Sequence, residues 1–289
     1  MTEEGGKLTF LSKKLTECPV CGAKFPREEL YTGRGRLIAG DLSDELRRHY
    51  EPSQKYGEVF PLIYPPVVCP ECLYAAFPQD FSQVPAKILG ELKDKSQERL
   101  RGLRPLFSDP DFLSPRGLKE GIAGYFLSMQ SYDSFPKNFS PVIKQGLCSL
   151  RAAWLLGDLH RKFPNDNYDY VSRLFYRKAA FFYSLSVENE STGKESVAEV
   201  PNLGPDLDKN YGYDGVLYLA ALLEYKHGPR KDPELRLKAL ANAKRTVARI
   251  FGMGKASKDK PAALLNHSKD LYTRIGEELT EEPGDDVEL

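Results

Sequence analysis

The amino-acid sequence predicts a mainly α-helical protein that begins with a small β module. Two observations support this fold class. Two Cys-x-x-Cys turns, Cys18 to Cys21 and Cys69 to Cys72, lie among short β-forming stretches near the N-terminus. From residue 85 onward, the apolar residues recur at the spacing of amphipathic helices. We therefore expect a four-cysteine module at 1–83, a helical connector at 84–139, a helical domain at 140–281 and an acidic tail at 282–289.

Composition places the chain among soluble globular proteins. Its 289 residues are 41% hydrophobic and 28% charged, which is enough to build a sizeable core. The 41 basic and 41 acidic residues cancel, so the protein as a whole lacks the positive field that grips nucleic acid through phosphates. The balance leaves room only for a local basic patch.

The sequence predicts a cytoplasmic protein without a membrane span. Its first ten residues hold two acids and no apolar run, unlike a secretory signal. No stretch approaches the roughly 20 apolar residues that cross a bilayer. In the cytoplasm thiols stay reduced, and dithiol pairs bind metals more often than they form disulfides.

The two cysteine turns have the residue types and spacing of one closed metal site. A 47-residue insertion separates them, and together they offer four thiolates, the tetrahedral ligand set of structural zinc. Proline follows the first cysteine of each turn and stiffens it. Gly22 follows the second cysteine of one turn and can adopt a left-handed conformation at little cost. Leu73 occupies the equivalent place in the other turn, where it must avoid positive φ or bear strain.

The long insertion does not prevent a shared site. Closing a loop of that length costs about 3–4 kcal/mol. Structural zinc contributes on the order of 10–16 kcal/mol in small finger peptides. The metal therefore outweighs the entropy of loop closure, and we expect a zinc-ribbon-like module whose zinc is structural, because four thiolates leave no position for water.

Four cysteines in two turns have other possible uses. Two redox dithiols would each be expected beside a βαβ pattern, which the sequence lacks, and two disulfides would suit a secreted protein. An iron–sulfur cluster also accepts four cysteines, and the ligand type alone does not distinguish it from zinc. The fifth cysteine, Cys148, lies in an apolar helical pattern and is expected in the core.

The insertion contains two further patterns. The charged run from Asp44 to His49 is read as helical, with His49 facing solvent rather than binding metal. The stretch 59–68 is rich in β-formers but broken by prolines, which suits an edge strand leading into the second turn.

The helical part shows several start signals in which a capping residue precedes proline. These signals are Ser114-Pro115, Ser140-Pro141 and Asp232-Pro233. With the apolar periodicity, they predict helices at 84–102, 115–131, 141–162, 168–188, 212–227, 233–251 and 261–281.

A weak internal repeat appears at an offset of 64 residues. Leu155, Gly157 and Leu159 align with Leu219, Ala221 and Leu223, so large and small residues alternate in both helices. The stretch 153–157 is also similar to the opening of a tetratricopeptide repeat. These features favour a short tetratricopeptide-like solenoid of degenerate repeats capped by the last helix, and an ordinary helical bundle remains the alternative.

The two cysteine stretches, 18–25 and 69–77, resemble an uncharacterised bacterial family catalogued as domain of unknown function 2225. The resemblance covers most of the chain and implies a split cysteine module followed by tetratricopeptide-like helices. It implies that Cys18, Cys21, Cys69 and Cys72 are the metal ligands. Leu73 departs from the glycine usual in that family, and the family name implies no activity.

No catalytic signature is present in the sequence, so we predict a non-enzymatic adaptor or scaffold. In a tetratricopeptide-like array, the first helix of each pair lines the inner surface. Arg151, Tyr218 and Tyr225 lie on such helices and are the predicted contacts for a protein partner. An enzyme would need a deep pocket with converging polar groups, and the sequence identifies neither such a pocket nor a small-molecule substrate.

The competing hypothesis is a nucleic-acid-associated zinc-ribbon protein. Residues 226–260 carry 11 Lys and Arg against 3 Asp and Glu. Most such runs are solvated surfaces, but some bind nucleic acid or an acidic partner. Lys244, Arg245 and Arg249 are the candidate residues of this basic patch.

Overall fold

The computed structural model describes residues 7–31, 33, 35–108, 110–198, 200–251 and 260–280. The acidic tail predicted at 282–289 lies outside these ranges. Among the helices in these ranges, none combines the length and the apolar character that a bilayer span requires.

In the described part of the N-terminal region, the strands form four small antiparallel pairs. The strands are β1 (Thr9–Leu11), β2 (Thr16–Glu17), β3 (Lys24–Phe25), β4 (Glu28–Leu30), β5 (Ile38–Leu42), β6 (Arg48–Glu51), β7 (Val67–Val68) and β8 (Ala75–Ala76). The pairs are β1 with β4, β2 with β3, β5 with β6, and β7 with β8. The β2–β3 pair encloses the first cysteine turn and the β7–β8 pair encloses the second.

Two sequence-based assignments in the insertion were wrong. The charged run is a turn followed by β6, and His49 is exposed on that strand rather than on a helix. The stretch 59–68 forms a 3-10 helix at Pro61–Ile63, and only its end pairs as β7. Proline starts the 3-10 helix because its fixed φ suits a helical first position and its missing N–H has no partner there.

The remainder of the chain is helical. The helices are α1 (Pro78–Phe81), α2 (Ala86–Asp94), α3 (Ser96–Leu103), α4 (Leu118–Tyr132), α5 (Pro141–Lys162), α6 (Tyr168–Ser191), α7 (Gly212–His227), α8 (Pro233–Ala248) and α9 (Ala262–Thr280). The helix predicted at 84–102 is divided into α2 and α3 at Lys95. The predicted bounds of α5 and α7 agree with the structure.

The three predicted caps have different outcomes. Asp232 caps α8, because its carboxylate accepts a 3.0 Å hydrogen bond from the Leu235 N–H. Ser140 precedes α5, but its hydroxyl donates instead to the Ser196 carbonyl at 2.5 Å. Ser114 does not cap a helix, since α4 begins at Leu118, where Glu120 accepts a 2.9 Å bond from the Gly117 N–H.

From α4 to α9, each helix packs on the helix that follows it in the chain. The protein is therefore mainly helical, as predicted. Contacts between consecutive helices occur in a repeat solenoid and in an ordinary bundle alike, so the tetratricopeptide-like array stays a prediction. The helices and the cysteine module share one hydrophobic core. At their junction Gly121 is required, because a Cβ there would lie 2.6 Å from the Ile63 side chain. The close contact brings the 3-10 helix and β7 onto α4, so the core crosses the predicted boundary at 83.

Candidate metal centre

The two cysteine turns have the same backbone hydrogen bonds. In the first, the Cys18 N–H donates to the Ala23 carbonyl at 2.8 Å and the Gly22 N–H donates to the Cys18 carbonyl at 2.9 Å. In the second, the Cys69 N–H donates to Tyr74 at 2.9 Å and the Leu73 N–H donates to Cys69 at 3.0 Å. Each turn is thus a tight knuckle whose two cysteine side chains face the same side.

The second turn closes with leucine at the position that glycine occupies in the first turn. Gly22 has φ +78° and Leu73 has φ +58°, so both residues adopt the left-handed conformation. Leu73 therefore bears the strain that its position predicted. Its side chain is only 9% exposed, and this burial offsets the strain.

The four sulfur atoms lie close enough to bind one ion. All four Sγ atoms of Cys18, Cys21, Cys69 and Cys72 lie within 4.8 Å of one another. The Cys18 and Cys72 sulfurs are 3.6 Å apart, and the Cys21 and Cys69 sulfurs are 3.5 Å apart. A tetrahedral ion with metal–sulfur bonds of about 2.3 Å needs sulfur–sulfur edges of about 3.8 Å. The residues present therefore fit a four-thiolate centre, and all of them are free thiols.

The thiols of the cluster influence the pKa values of one another. Hydrogen bonding to Cys69 raises the pKa of the Cys18 thiol to about 12. Hydrogen bonds with Cys18 and Cys69 raise the pKa of Cys72 far above its usual range. The same contacts lower the pKa of Cys69. Among these three thiols the cluster favours the thiolate at Cys69, whereas a bound cation would stabilise thiolates at all of its ligands.

Sequence reasoning missed two residues that support the centre. Arg99 on α3 is buried and donates from Nη2 to the Cys72 carbonyl at 2.8 Å. The Ser96 hydroxyl donates to the same carbonyl at 3.1 Å. A guanidinium beside four thiolates offsets part of the negative charge that they would carry around a divalent ion. Arg99 lies in a highly charged stretch of sequence, so nothing in the pattern set it apart.

A buried ionic network fixes the module to the helices. Asp80, just beyond the second turn, accepts bonds from the Tyr132 hydroxyl at 2.6 Å and from the Lys144 ammonium at 2.8 Å. Tyr132 in turn accepts a 2.9 Å bond from the Phe77 N–H. Because the partners belong to α4 and α5, these bonds connect the cysteine module to the helices.

The predicted partner contacts lie mostly in the interior. Arg151 is buried and donates to the carbonyls of Pro205 at 2.8 Å and Gly204 at 3.0 Å. Tyr218 is buried, and its hydroxyl donates to the Asp44 carbonyl at 2.6 Å. These two side chains do not form the exposed surface that the sequence predicted, because internal carbonyls and the insertion cover them. Tyr225 is half-buried and its role in partner binding stays a prediction.

The candidate basic residues lie on or just after α8. Arg245 and Arg249 are exposed, and Lys244 lies with its ammonium 4.8 Å from the centre of the Tyr272 ring. Elsewhere in the same segment, Arg236 forms an ion pair with Glu278 at 2.8 Å. Part of the positive charge is therefore neutralised within the protein.

Fold and site together define a mainly helical protein in which four N-terminal cysteines are positioned to bind one metal ion. The chain belongs to the family described as "Uncharacterized protein conserved in bacteria (DUF2225)", whose model matches residues 11–275. The suspected family is thus confirmed. An "Uncharacterized protein" of Borreliella burgdorferi is 44% identical over 274 residues, which cover 94% of this chain and 98% of that protein. No solved structure matches the chain.

Proposed function

We propose that this chain is a non-enzymatic adaptor of a reducing compartment such as the cytoplasm. In this proposal a structural zinc ion stabilises the N-terminal module, and the helical array binds another protein. The observation that carries the proposal is an open groove of about 1060 Å³ between α6 and the α7–α8 connection, called here the lateral groove.

The lateral groove combines exposed apolar side chains with positive charge. Phe181 on α6 is 61% exposed and Leu235 on α8 is 49% exposed. Basic residues exceed acidic ones along the lining; the basic ones are Arg173, Arg177, Lys226, Arg230 and Lys231, and the acidic ones are Glu188, Glu224 and Asp232. Large apolar groups rimmed by charge are typical of protein-binding surfaces, and the positive excess favours an acidic partner.

The metal centre supports a structural role rather than catalysis. Four thiolates would satisfy every tetrahedral position of zinc, so no site remains for a reactive water or a substrate. Two turns from distant parts of the chain would then be tied together through one ion. Elemental analysis of the purified protein tests this assignment. Zinc without inorganic sulfide supports the zinc site, whereas iron with sulfide supports the iron–sulfur alternative.

Affinity capture from cells of the organism that makes this protein tests partner binding by the groove. The variants used replace exposed side chains and leave the core intact. The groove variant is Phe181→Ser, and its matched control is Tyr170→Ser, an aromatic residue of the same helix that is 56% exposed and outside the groove. A protein retained by wild type and Tyr170→Ser but lost by Phe181→Ser supports the proposal. Equal recovery by all three overturns the groove assignment. Failure of the wild-type protein to capture any specific protein overturns the adaptor role.

The same capture experiment addresses nucleic acid. Binding that falls steeply with salt and is lost on reversing the charge of Arg245 and Arg249 would favour the nucleic-acid hypothesis over the adaptor. We expect no such binding, because the chain has no net charge.

A further inference from the structure

The turn between β5 and β6 inserts into the helical array. We call its residues 43–47 the hairpin tip. The Ser43 N–H donates to the Arg47 carbonyl at 2.8 Å, and the Leu46 N–H donates to the Ser43 carbonyl at 3.0 Å. Leu46 is completely buried with φ +59°. The tip is therefore a compact turn that presents its side chains to the helices.

Two consecutive carboxylates of the tip are bound by side chains from three helices. Glu45 accepts hydrogen bonds from the Trp154 indole at 2.5 Å, the Tyr176 hydroxyl at 3.0 Å and the Lys226 ammonium at 2.9 Å. The carboxylate of Asp44 accepts from Lys226 at 2.8 Å, and its backbone carbonyl accepts from Tyr218. We call Trp154, Tyr176, Tyr218 and Lys226 the carboxylate pocket.

The strands behind the tip contribute little to its docking. Among the residues that the structure describes, β5 and β6 pair only with each other, and all of their residues are exposed or half-buried. An isolated two-stranded hairpin is marginally stable in water. Beyond the carboxylate pocket, the tip region is held by two ion pairs, Arg47 with Asp158 and Arg48 with Asp208, and by the Arg48 N–H, which donates to the Asp206 carboxylate at 2.8 Å. Release of the tip breaks the largely buried Arg47–Asp158 pair, although Asp158 keeps Arg161 as a partner. Release also exposes Leu46, the fully buried apolar side chain of the tip.

The carboxylate pocket continues into the lateral groove. Lys226, which binds both tip carboxylates, also lines the groove. His227 lines it as well and stacks on Tyr176 with 4.2 Å between ring centroids. A partner segment lying in the groove would therefore reach the pocket that the hairpin tip fills.

We propose that the hairpin tip is an intramolecular ligand, and that the carboxylate pocket binds an acidic segment of a partner protein in its place. Because the pocket binds the tip, we expect the partner segment to resemble the tip, with two consecutive carboxylates followed by leucine. This inference rests on the proposed adaptor function and names its partner class. Because the tip is tethered to the protein, its effective concentration at the pocket is of the order of mM. The tip therefore prevents binding of partner segments that contact the pocket alone and do not also contact the groove.

The tryptophan of the pocket provides the readout. Trp154 is the single tryptophan of the chain, so its fluorescence reports directly on the contact with Glu45. The test protein carries Asp44→Asn and Glu45→Gln, which keep the shape of the tip but remove its charges. The probe is a synthetic peptide with the sequence of residues 41–49, and the control peptide carries the same two amides.

We expect the acidic peptide to bind the variant and restore the wild-type tryptophan emission. Binding to wild type should be at least about tenfold weaker, because its own charged tip competes for the pocket with charge-assisted hydrogen bonds. The amide peptide should not bind. No binding of the acidic peptide to a variant that keeps its cooperative thermal transition overturns the inference.

A measurement on the wild-type protein keeps the inference testable if the variant does not fold. The amides of Ser43, Leu46 and Arg47 are hydrogen-bonded within the tip. If the tip releases locally, they exchange with solvent faster than the amides of the α5 interior. Equal protection would make the tip part of the core and overturn the inference.

Two further outcomes are distinguishable. A dimer of the wild type that exchanges hairpins, seen in sedimentation, would make a second copy the occupant and overturn the partner assignment. Failure of peptide binding would leave the proposed adaptor function intact, because Phe181 lies outside the carboxylate pocket and its capture test does not require the hairpin to move.

Discussion

Leu73 and Gly22 occupy equivalent positions in the two cysteine turns and share the left-handed backbone conformation. For leucine this conformation costs about 1–2 kcal/mol. Burying its side chain returns about 1.5–3 kcal/mol, so the second turn tolerates a residue that its geometry disfavours. A Cβ added at Gly22 would have no atom within 4 Å, so it would gain no such contact. The same turn is therefore built in two ways, one by conformational freedom and one by packing.

Gly22→Ala should destabilise the protein by about 1 kcal/mol, because alanine bears the positive φ and its methyl group contacts nothing. Gly90→Ala is the matched control. Gly90 lies exposed in α2 with open space around it, and alanine should stabilise that helix by about 0.5–1 kcal/mol. Chemical denaturation of both variants measures the difference, and equal effects would contradict the strain at Gly22.

The purified wild-type protein should contain one zinc ion per chain. Cys72→Ser should lose the ion and unfold at lower temperature, because three thiolates and a hydroxyl bind zinc poorly. Cys148→Ala is the control, since Cys148 is buried in α5 away from the cluster. That variant should keep the full metal content. Elemental analysis with thermal unfolding checks both variants, and retention of zinc by Cys72→Ser would contradict the four-thiolate centre.

Arg99→Ala should weaken metal binding by about 10–100-fold while leaving the four ligands in place. The reason is that the guanidinium donates to the Cys72 carbonyl and offsets the charge of the thiolates. Arg101→Ala, an exposed position of the same helix, should bind metal as wild type does. Competition with a chromophoric chelator measures the affinity. Equal affinities for the two variants would remove Arg99 from the metal centre.

Acidification should destabilise the region around His227. Burial lowers the pKa of His227 from 6.5, and Lys226, Arg230 and Arg177 act in the same direction against the opposing effect of Glu45. Below pH 6.5 the unfolded chain therefore binds more protons at this residue than the folded protein. The contribution of His227 to stability is complete above pH 6.5 and is lost as the pH falls through the lowered pKa.

The variant His227→Phe keeps an aromatic ring against Tyr176 but cannot titrate. Its melting temperature should fall less than that of wild type between about pH 7.5 and pH 5.5. His49→Gln removes an exposed histidine and should follow wild type. Acid also displaces metal from thiolates in all three proteins, so the comparison between variants isolates His227. Parallel curves for wild type and His227→Phe would contradict this assignment.

Local patterns in the sequence were sufficient to predict the cysteine centre and most of the helices. A Cys-x-x-Cys turn specifies its own geometry through proline, glycine and short-range hydrogen bonds, and two such turns need only one ion to bring them together. Helices such as α5 and α7 follow from apolar spacing over several turns. The start of α4 was missed because the helix begins after Gly117, whose N–H donates to the Glu120 carboxylate, and not after the predicted cap Ser114.

Residue contacts between distant segments were decided by the tertiary structure alone. Asp44, Glu45 and Arg47 appear in the sequence as an ordinary charged run, yet they are bound by helices more than a hundred residues away. Arg99 likewise acquires its role only when α3 packs beside Cys72. Hydrophobic spacing identifies which surfaces are buried, but the pairing of buried charges depends on which surfaces meet. That pairing is set by packing of the whole core, and no local pattern encodes it.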